Sequence, residues 1–213
     1  MTAREEMLGR IRQSLGDRHS ADLQAEYQSI PRNYSSNPGS SLEERLILFS
    51  DRLRDYGATV HRCSASAVKS VVDTILTERQ KNSLLVPAGI PREWLPEGRT
   101  FIHDDELTFQ AMDASQGVLT GCAMAIALTG TIILQHTRQT GRRALTLIPD
   151  YHLCVVYTDQ VLETPPEGIR KMAQLLPAPL TTISGPSATS DIEMIRVKGV
   201  HGPRTLEVIL ADR

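Results

Sequence analysis

The stretch SLEERLILFSDRLRDYGATVHRCSASAVKSVVDTILTERQKNSLLVP (residues 41–87) decides the fold. It opens on Ser41-Leu42-Glu43-Glu44, a capping box in which the serine hydroxyl takes one orphan amide and the second glutamate reaches back. Leu42, Leu46, Phe49, Leu53 and Tyr56 then recur at helical spacing, and Gly57 closes the run. Ala58–Cys63 reads as a strand. Val68, Val71, Val72, Ile75 and Leu76 give a second helix its apolar side. Ser83-Leu84-Leu85-Val86-Pro87 is a short continuous apolar run, and after a helix such a run suits a strand buried on both faces of a parallel sheet. This alternation is the sign of an α/β layered domain.

Downstream, Gly117–Thr120, Thr131–His136, Ala144–Pro149 and Leu153–Thr158 read as strands in quick succession. Only short turns separate the last three, so an antiparallel meander attached to the sheet is expected. Thr164-Pro165-Pro166-Glu167 has the pattern of a further capping box, followed by an apolar face of Ile169, Met172, Ala173 and Leu176. Leu180–Ser184 and Arg204–Leu210 read as closing strands. The expected fold class is therefore α/β, a three-layer domain with a mostly parallel sheet plus an antiparallel meander over residues 41–213. Upstream, residues 1–16 read as an amphipathic helix, capped by Thr2-Ala3-Arg4-Glu5, with Leu8, Ile11 and Leu15 on one face and Gly16 as its stop. Residues 17–40 are polar, with scattered Pro, Asn, Ser and Gly, and read as a linker or arm. A tethered amphipathic helix needs a partner surface, on its own domain or on a neighbouring subunit.

A net charge of −2, with no basic stripe, argues against a nucleic-acid reader. The three cysteines, Cys63, Cys122 and Cys154, include no C-x-x-C pair, so no cofactor is expected in this chain: it has no iron–sulfur or structural zinc ligand set of its own. Their expected state is buried free thiols in a reducing compartment. No leader-like segment and no apolar run of about 18 residues is present, which points to the cytoplasm and away from a membrane. Neither G-x-G-x-x-G nor G-x-x-x-x-G-K-[ST] occurs, so dinucleotide and Walker-type nucleotide binding are not indicated. Asp104-Asp105-Glu106 reads as a solvated loop or helix start, and no histidine pair has metal-ligand spacing.

Chemistry concentrates in Gly117–Val156 and Ser184–Pro203. Gly130, between Thr129 and Thr131, marks either a plain strand-entry turn or a close backbone approach to a ligand. Arg142 and Arg143 follow Gly141; a guanidinium fork binds carboxylate or phosphate, and neighbours on a strand point opposite ways, so at most one should face a given site. Asp150 and His152 would share a face if extended, where the carboxylate could orient the imidazole. Cys154 is not favoured as a nucleophile, because nothing nearby in sequence signals activation. Ser184-Gly185-Pro186-Ser187-Ala188-Thr189-Ser190-Asp191 follows a strand and leads toward a short helical turn. Its hydroxyls and amides suit an anion nest, and Asp191 is either an N-cap or a functional carboxylate. His201 and Gly202 lie in the last glycine-rich turn.

ALTGTIIL (127–134), GRRALTLIPDYHLCVV (141–156), SGPSATSDIE (184–193) and GVHGP (199–203) together resemble the LUD-domain proteins, as do AREEMLGRIR (3–12) and IPRNY (30–34). The resemblance implies a fold similar to the sugar-phosphate isomerase and CoA-transferase superfamily. It implies a part in oxidising L-lactate to pyruvate, alongside partner proteins that carry iron–sulfur clusters. It also implies a site built from Thr129, Gly130, Thr131, Arg142, Arg143, Gly185, Pro186, Ser187, Thr189, His201 and Gly202 for a small carboxylate or phosphate ligand. Asp150, His152 and Asp191 are its candidates for catalysis. An acidic residue is common in the family just before T-G-T, where this chain has Leu128. A reaction that needs a carboxylate base or nucleophile there is not expected of this chain. Two other readings stand beside this one: a stand-alone enzyme on a phosphorylated or CoA-linked anion, and a ligand-sensing or scaffolding protein.

Overall fold

The computed structural model describes residues 2–16, 20–33, 39–190, 196–198 and 201–213, without the side chains of residues 20, 21, 190 and 196–198. The chain divides into two units, Met1–Tyr34 and Ser35–Arg213. The first holds helices α1 (Ala3–Leu15) and α2 (Ser20–Ser29). Both halves of the expected Thr2–Glu5 capping box form, and Gly16 ends α1 with φ +67°. Residues 17–40 do not read as helical, yet ten of them form α2. No glycine or proline interrupts Ser20–Ser29, and a local cap follows it: Arg32 donates to the carbonyls of Tyr27 and Ile30 and lies over the Tyr27 ring.

The second unit contains α3 (Leu42–Asp55), β1 (Thr59–Ser64), α4 (Val68–Glu78), β2 (Ser83–Val86), β3 (Thr100–His103), α5 (Phe109–Asp113), β4 (Val118–Thr120), β5 (Met124–Ile126) and β6 (Thr131–Gln135). Then come β7 (Tyr151–Tyr157), β8 (Val161–Leu162), α6 (Pro165–Leu175), β9 (Leu180–Ile183), β10 (Ala188–Ser190), β11 (Arg196–Lys198) and β12 (Thr205–Asp212). A six-stranded sheet has the order β1-β12-β7-β4-β2-β3, and every pair in it is parallel. A four-stranded sheet has the order β8-β5-β6-β9, with β6 antiparallel to both neighbours. The class is the expected one, an α/β domain whose main sheet is parallel and which carries an antiparallel addition.

Three cores explain the layering. On one face of the main sheet, Cys154, Val156, Leu206, Val208 and Leu210 meet Leu46, Phe49 and Leu53 of α3 and Ala125, Ile132 and Leu134 of the second sheet. On the other face, Leu153, Val155, Ile209 and Ala211 meet Val68, Val72, Ile75 and Leu76 of α4. The outer face of the second sheet packs Met124, Ile126 and Ile133 on Met172 and Leu175 of α6. Phe49 is fully buried, and removing such a side chain from water stabilises by about 1.5–3 kcal/mol. Leu42 and Tyr56, at the ends of the predicted α3 stripe, are exposed.

Three local expectations fail for physical reasons. Arg143–Thr146 is a 3₁₀ turn and not a strand: Gly141 turns the chain at φ +74°, and Leu145 fills a small core with Leu85, Met112 and Val118. An apolar run this short cannot be told from a buried turn by periodicity. The strand predicted at Leu153–Thr158 exists, but it lies between β12 and β4 as a parallel strand, outside any meander. Six consecutive buried residues, Tyr151–Val156, suit that central place. The Thr164 box does not form: Thr164 Oγ1 is buried without a partner, and Glu167 instead accepts from the Glu163 amide at 3.0 Å.

Candidate functional site

The sheet geometry gathers most of the chemistry-bearing residues at one end. β7 and β12 both begin beside a cleft of about 290 Å³, and their second residues, His152 and Leu206, line it. The loop that leaves β9 supplies Ser184, Gly185, Pro186 and Ser187, and the turn before β12 supplies His201, Gly202 and Pro203. These two loops are tied together. The Ser187 amide donates to the Pro203 carbonyl at 2.8 Å, and Ser187 Oγ accepts from the His201 amide at 3.0 Å. Gly185 has φ +87°, and a Cβ there would lie 2.4 Å from Cβ of Tyr56, so the loop folds flat against the end of α3 only with glycine at this place.

The arginine pair is divided. Arg143 lines the cleft. Arg142 turns away and holds Asp104 bidentately, at 2.8 and 2.9 Å, and it also donates to the Leu107 carbonyl. That ion pair, with Asp104 nearly buried, raises the Arg142 guanidinium pKa above its usual value. Arg142 is thus a strut for the loop after β3, and Arg143 is the member of the pair that lines the cleft.

His152 is buried, and its Nε2 lies 2.8 Å from the hydroxyl of Thr120, itself fully buried on β4. Asp150 does not orient it. β7 starts only at Tyr151, and Asp150 pairs with Arg204 at 2.5 and 3.0 Å on the surface. Arg204 holds the Asp150 carboxyl below the usual carboxylate range.

Thr129, Gly130 and Thr131 form the β5–β6 connection and do not line the cleft. They reach it through a relay of hydroxyls: Thr129 Oγ1 to Thr131 Oγ1 at 2.7 Å, and Thr131 Oγ1 to Ser184 Oγ at 2.8 Å. Gly130 serves close packing, since a Cβ there would lie 2.7 Å from Cβ of Arg52. Thr189 is exposed on β10, which pairs with β11, and the helical turn expected to follow Asp191 begins outside the described residues. Asp191 and Gly199 lie outside the described residues. Sequence reasoning missed Thr120, Thr146, Thr181 and Thr182; the hydroxyl run Thr181–Ser184 at a strand end was a signal for the last two.

Among the described residues, the lining carries one guanidinium, two imidazoles and several hydroxyls, and no carboxylate. Such a surface favours a small anion. Ser184 Oγ is bonded to Thr131 Oγ1, while two imidazoles are held by threonine hydroxyls, His152 Nε2 by Thr120 at 2.8 Å and His136 Nε2 by the lining residue Thr181 at 2.7 Å.

The family model for the LUD domain matches residues 46–211, which takes in every element from mid-α3 to β12. This chain belongs to the LUD-domain family. Lactate utilization protein C of Deinococcus radiodurans is 47% identical over 173 residues, covering 80% of this chain and 81% of that protein. Lactate utilization protein C of Halalkalibacterium halodurans is 22% identical over 229 residues, covering 99% of this chain and 98% of that one. A crystal structure of a DUF162 family protein from D. radiodurans superposes with a TM-score of 0.70 at 40% identity, covering 81% of this chain and 99% of that chain. Within this LUD domain, Leu128 is exposed beside Arg52, Asp55 and Tyr56 and does not line the cleft. Among the described residues no helix is long and apolar enough to cross a membrane, and no group of three His, Cys, Asp or Glu could hold a metal ion.

Proposed function

We propose that this LUD-domain chain takes part in lactate utilisation, in the oxidation of L-lactate to pyruvate, beside partner proteins that carry the iron–sulfur clusters. Its own contribution is to bind a small carboxylate in the cleft between Arg143 and the Ser184–Ser187 loop. The observation that carries this reading is the cleft lining, in which Arg143 and two histidines face hydroxyls with no carboxylate among the described residues. The names and extent of the relatives support the pathway. The Arg143 guanidinium takes the carboxylate of the ligand, and His152, fixed by Thr120, faces its remaining oxygen.

A thermal-shift series with L-lactate, pyruvate, a sugar phosphate and CoA tests the ligand class. At 100 times its dissociation constant a ligand stabilises by about 2.7 kcal/mol, a readily measured rise in Tm. The expected outcome is a rise with the small carboxylates that Arg143→Ala removes and Arg142→Ala keeps. A rise only with CoA or the sugar phosphate overturns the carboxylate assignment. Recovery of iron–sulfur proteins with tagged protein from lactate-grown cells tests the pathway, and their repeated absence counts against it.

A further inference from the structure

Two cavities flank the parallel sheet. One, of about 330 Å³, lies at the carboxyl ends of β4 and β7 and is walled by Trp94, Tyr157, Glu93 and Arg213. Trp94 Nε1 donates to the Tyr157 hydroxyl at 3.2 Å, and opposite charges share the wall, so it singles out no ligand charge. The cleft at the amino ends is more selective, and its selectivity extends beyond charge.

β9 lays its side chains alternately on the two faces of the second sheet. Thr182 lies opposite Ile133, whose side chain packs on α6. Thr181 lies opposite Leu134, whose side chain fills the core between the sheets. Thr181 therefore points inward, and it lines the cleft with Arg143 and Ser187.

Behind Thr181 stands His136, just past the end of β6. His136 Nδ1 lies 3.0 Å from the Gly141 carbonyl oxygen, and its Nε2 lies 2.7 Å from Thr181 Oγ1. A carbonyl oxygen only accepts, so Nδ1 carries the ring proton. In the neutral ring Nε2 is then an acceptor, and the Thr181 hydroxyl donates to it. The one proton of Thr181 is thereby committed, and the lone pairs of its oxygen are left for the cleft. Among the described residues no other group bonds Thr181 Oγ1. Ser187 has the opposite polarity: its Oγ accepts from the His201 amide at 3.0 Å, and its own proton is uncommitted. His152 makes no such choice, because its Nε2 partner, the Thr120 hydroxyl, can give or take the proton.

We propose that Thr181, held as a pure acceptor by His136, makes the cleft select α-hydroxy acids over α-oxo acids. This inference rests on the small-carboxylate reading of the cleft. Arg143 and Ser187 donate to the carboxylate, and the hydroxyl of the ligand donates its proton to Thr181 Oγ1. An α-oxo group has no proton to give, and its lone pairs meet those of Thr181, so the oxidised acid is held more weakly. The site thus retains L-lactate and releases pyruvate. The same imidazole ties down the carbonyl of Gly141, two residues before Arg143, so one ring sets both the acceptor and the approach to the cation.

Isothermal titration of the full chain at mildly alkaline pH, with L-lactate, pyruvate and propionate, tests this. L-lactate is expected to bind about tenfold tighter than pyruvate, the effect of one hydrogen bond made or refused. Thr181→Val keeps the shape of the side chain and removes the oxygen; it lowers L-lactate affinity to that of propionate and erases the preference. His136→Asn keeps a donor for the Gly141 carbonyl and frees the Thr181 proton to turn into the cleft, so pyruvate binds tighter and the preference shrinks. Each variant is checked for a native circular dichroism spectrum, and where one fails to fold the ratio in the native chain decides. Equal affinity for the two acids, tighter binding of pyruvate, or a ratio that survives Thr181→Val overturns the inference, while Arg143-dependent binding of both acids leaves the carboxylate reading standing. Binding of neither acid, or binding that Arg143→Ala does not weaken, overturns the carboxylate reading and this inference with it.

Discussion

The two ends of the parallel sheet hold cavities of similar size built on different principles. At the amino end, the cleft is made of irregular backbone, the Ser184–Ser187 loop and the His201–Pro203 turn, and its charge is cationic. At the carboxyl end, strand ends and an aromatic pair form the wall, and Glu93, Arg213 and a thiol share it. Open parallel sheets usually bind ligands beyond their carboxyl ends. Here the motif-bearing loops gather at the amino end, because β9 of the second sheet stops there and delivers its loop against α3. The place of this cleft thus follows the layer that supplies the loops, and the parallel strands alone do not dictate it.

Four substitutions break or sharpen this contrast, and they separate the ends if the contrast is real. Gly185→Ala is expected to have the largest effect. With φ +87° and Tyr56 only 2.4 Å from the new Cβ, it should lower stability by about 3 kcal/mol in chemical denaturation and disorganise the cleft. The near-ultraviolet dichroism of the Trp94–Tyr157 pair in the folded fraction should stay unchanged, and a loss at both ends together would merge them into one unit. Arg143→Ala should next abolish the ligand-dependent gain of about 2.7 kcal/mol while leaving the ligand-free Tm nearly unchanged.

Glu207→Gln should cost about 2 kcal/mol and affect both ends equally, since Glu207 faces neither cavity. Its buried carboxylate is held by His61 at 2.8 Å and Arg79 at 2.5 Å, and the partly exposed partners lessen the loss from that of a fully buried pair. Burial raises the Glu207 pKa, but His61 and Arg79 outweigh it, and the net shift is down. A lowered folded pKa contributes stability that is present above the unfolded value of 4.5 and is lost as pH falls through the folded value. Urea midpoints measured against pH should show this acid limb in the native chain and a flatter one in Glu207→Gln. Arg142→Ala, the smallest, should cost about 1–2 kcal/mol in a thermal melt by leaving Asp104 unpaired, with no change in ligand affinity.

Legibility followed the range of the interactions. Residues 41–87 were readable because the cap, the periodicity and the glycine stop of α3 are all local. β7 was readable as a strand, but its neighbours were not, since its pairing with β12 joins distant parts of the chain. In the cleft, the residue types of Arg143, His152 and the Ser187 loop singled out residues that the fold does bring together. Arg142 and Asp150 looked equivalent to them because their partners, Asp104 and Arg204, lie 38 and 54 residues away. The absence of a box at Thr164 turned on the Glu163 amide competing for Glu167, which no spacing rule reports. Thr120 carried no signal at all, since one hydroxyl in a buried strand looks like any other β-branched residue.

The order β1-β12-β7 places a late segment of the chain between two earlier ones. While the polypeptide emerges from the ribosome, β1 and β7 have no shared neighbour until Thr205–Asp212 is made, and each presents an unpaired edge to whatever lies nearby. The centre of the main sheet is then completed only after its five other strands have been made, and a nascent chain halted before β12 carries two sticky ladders for chaperones to cover.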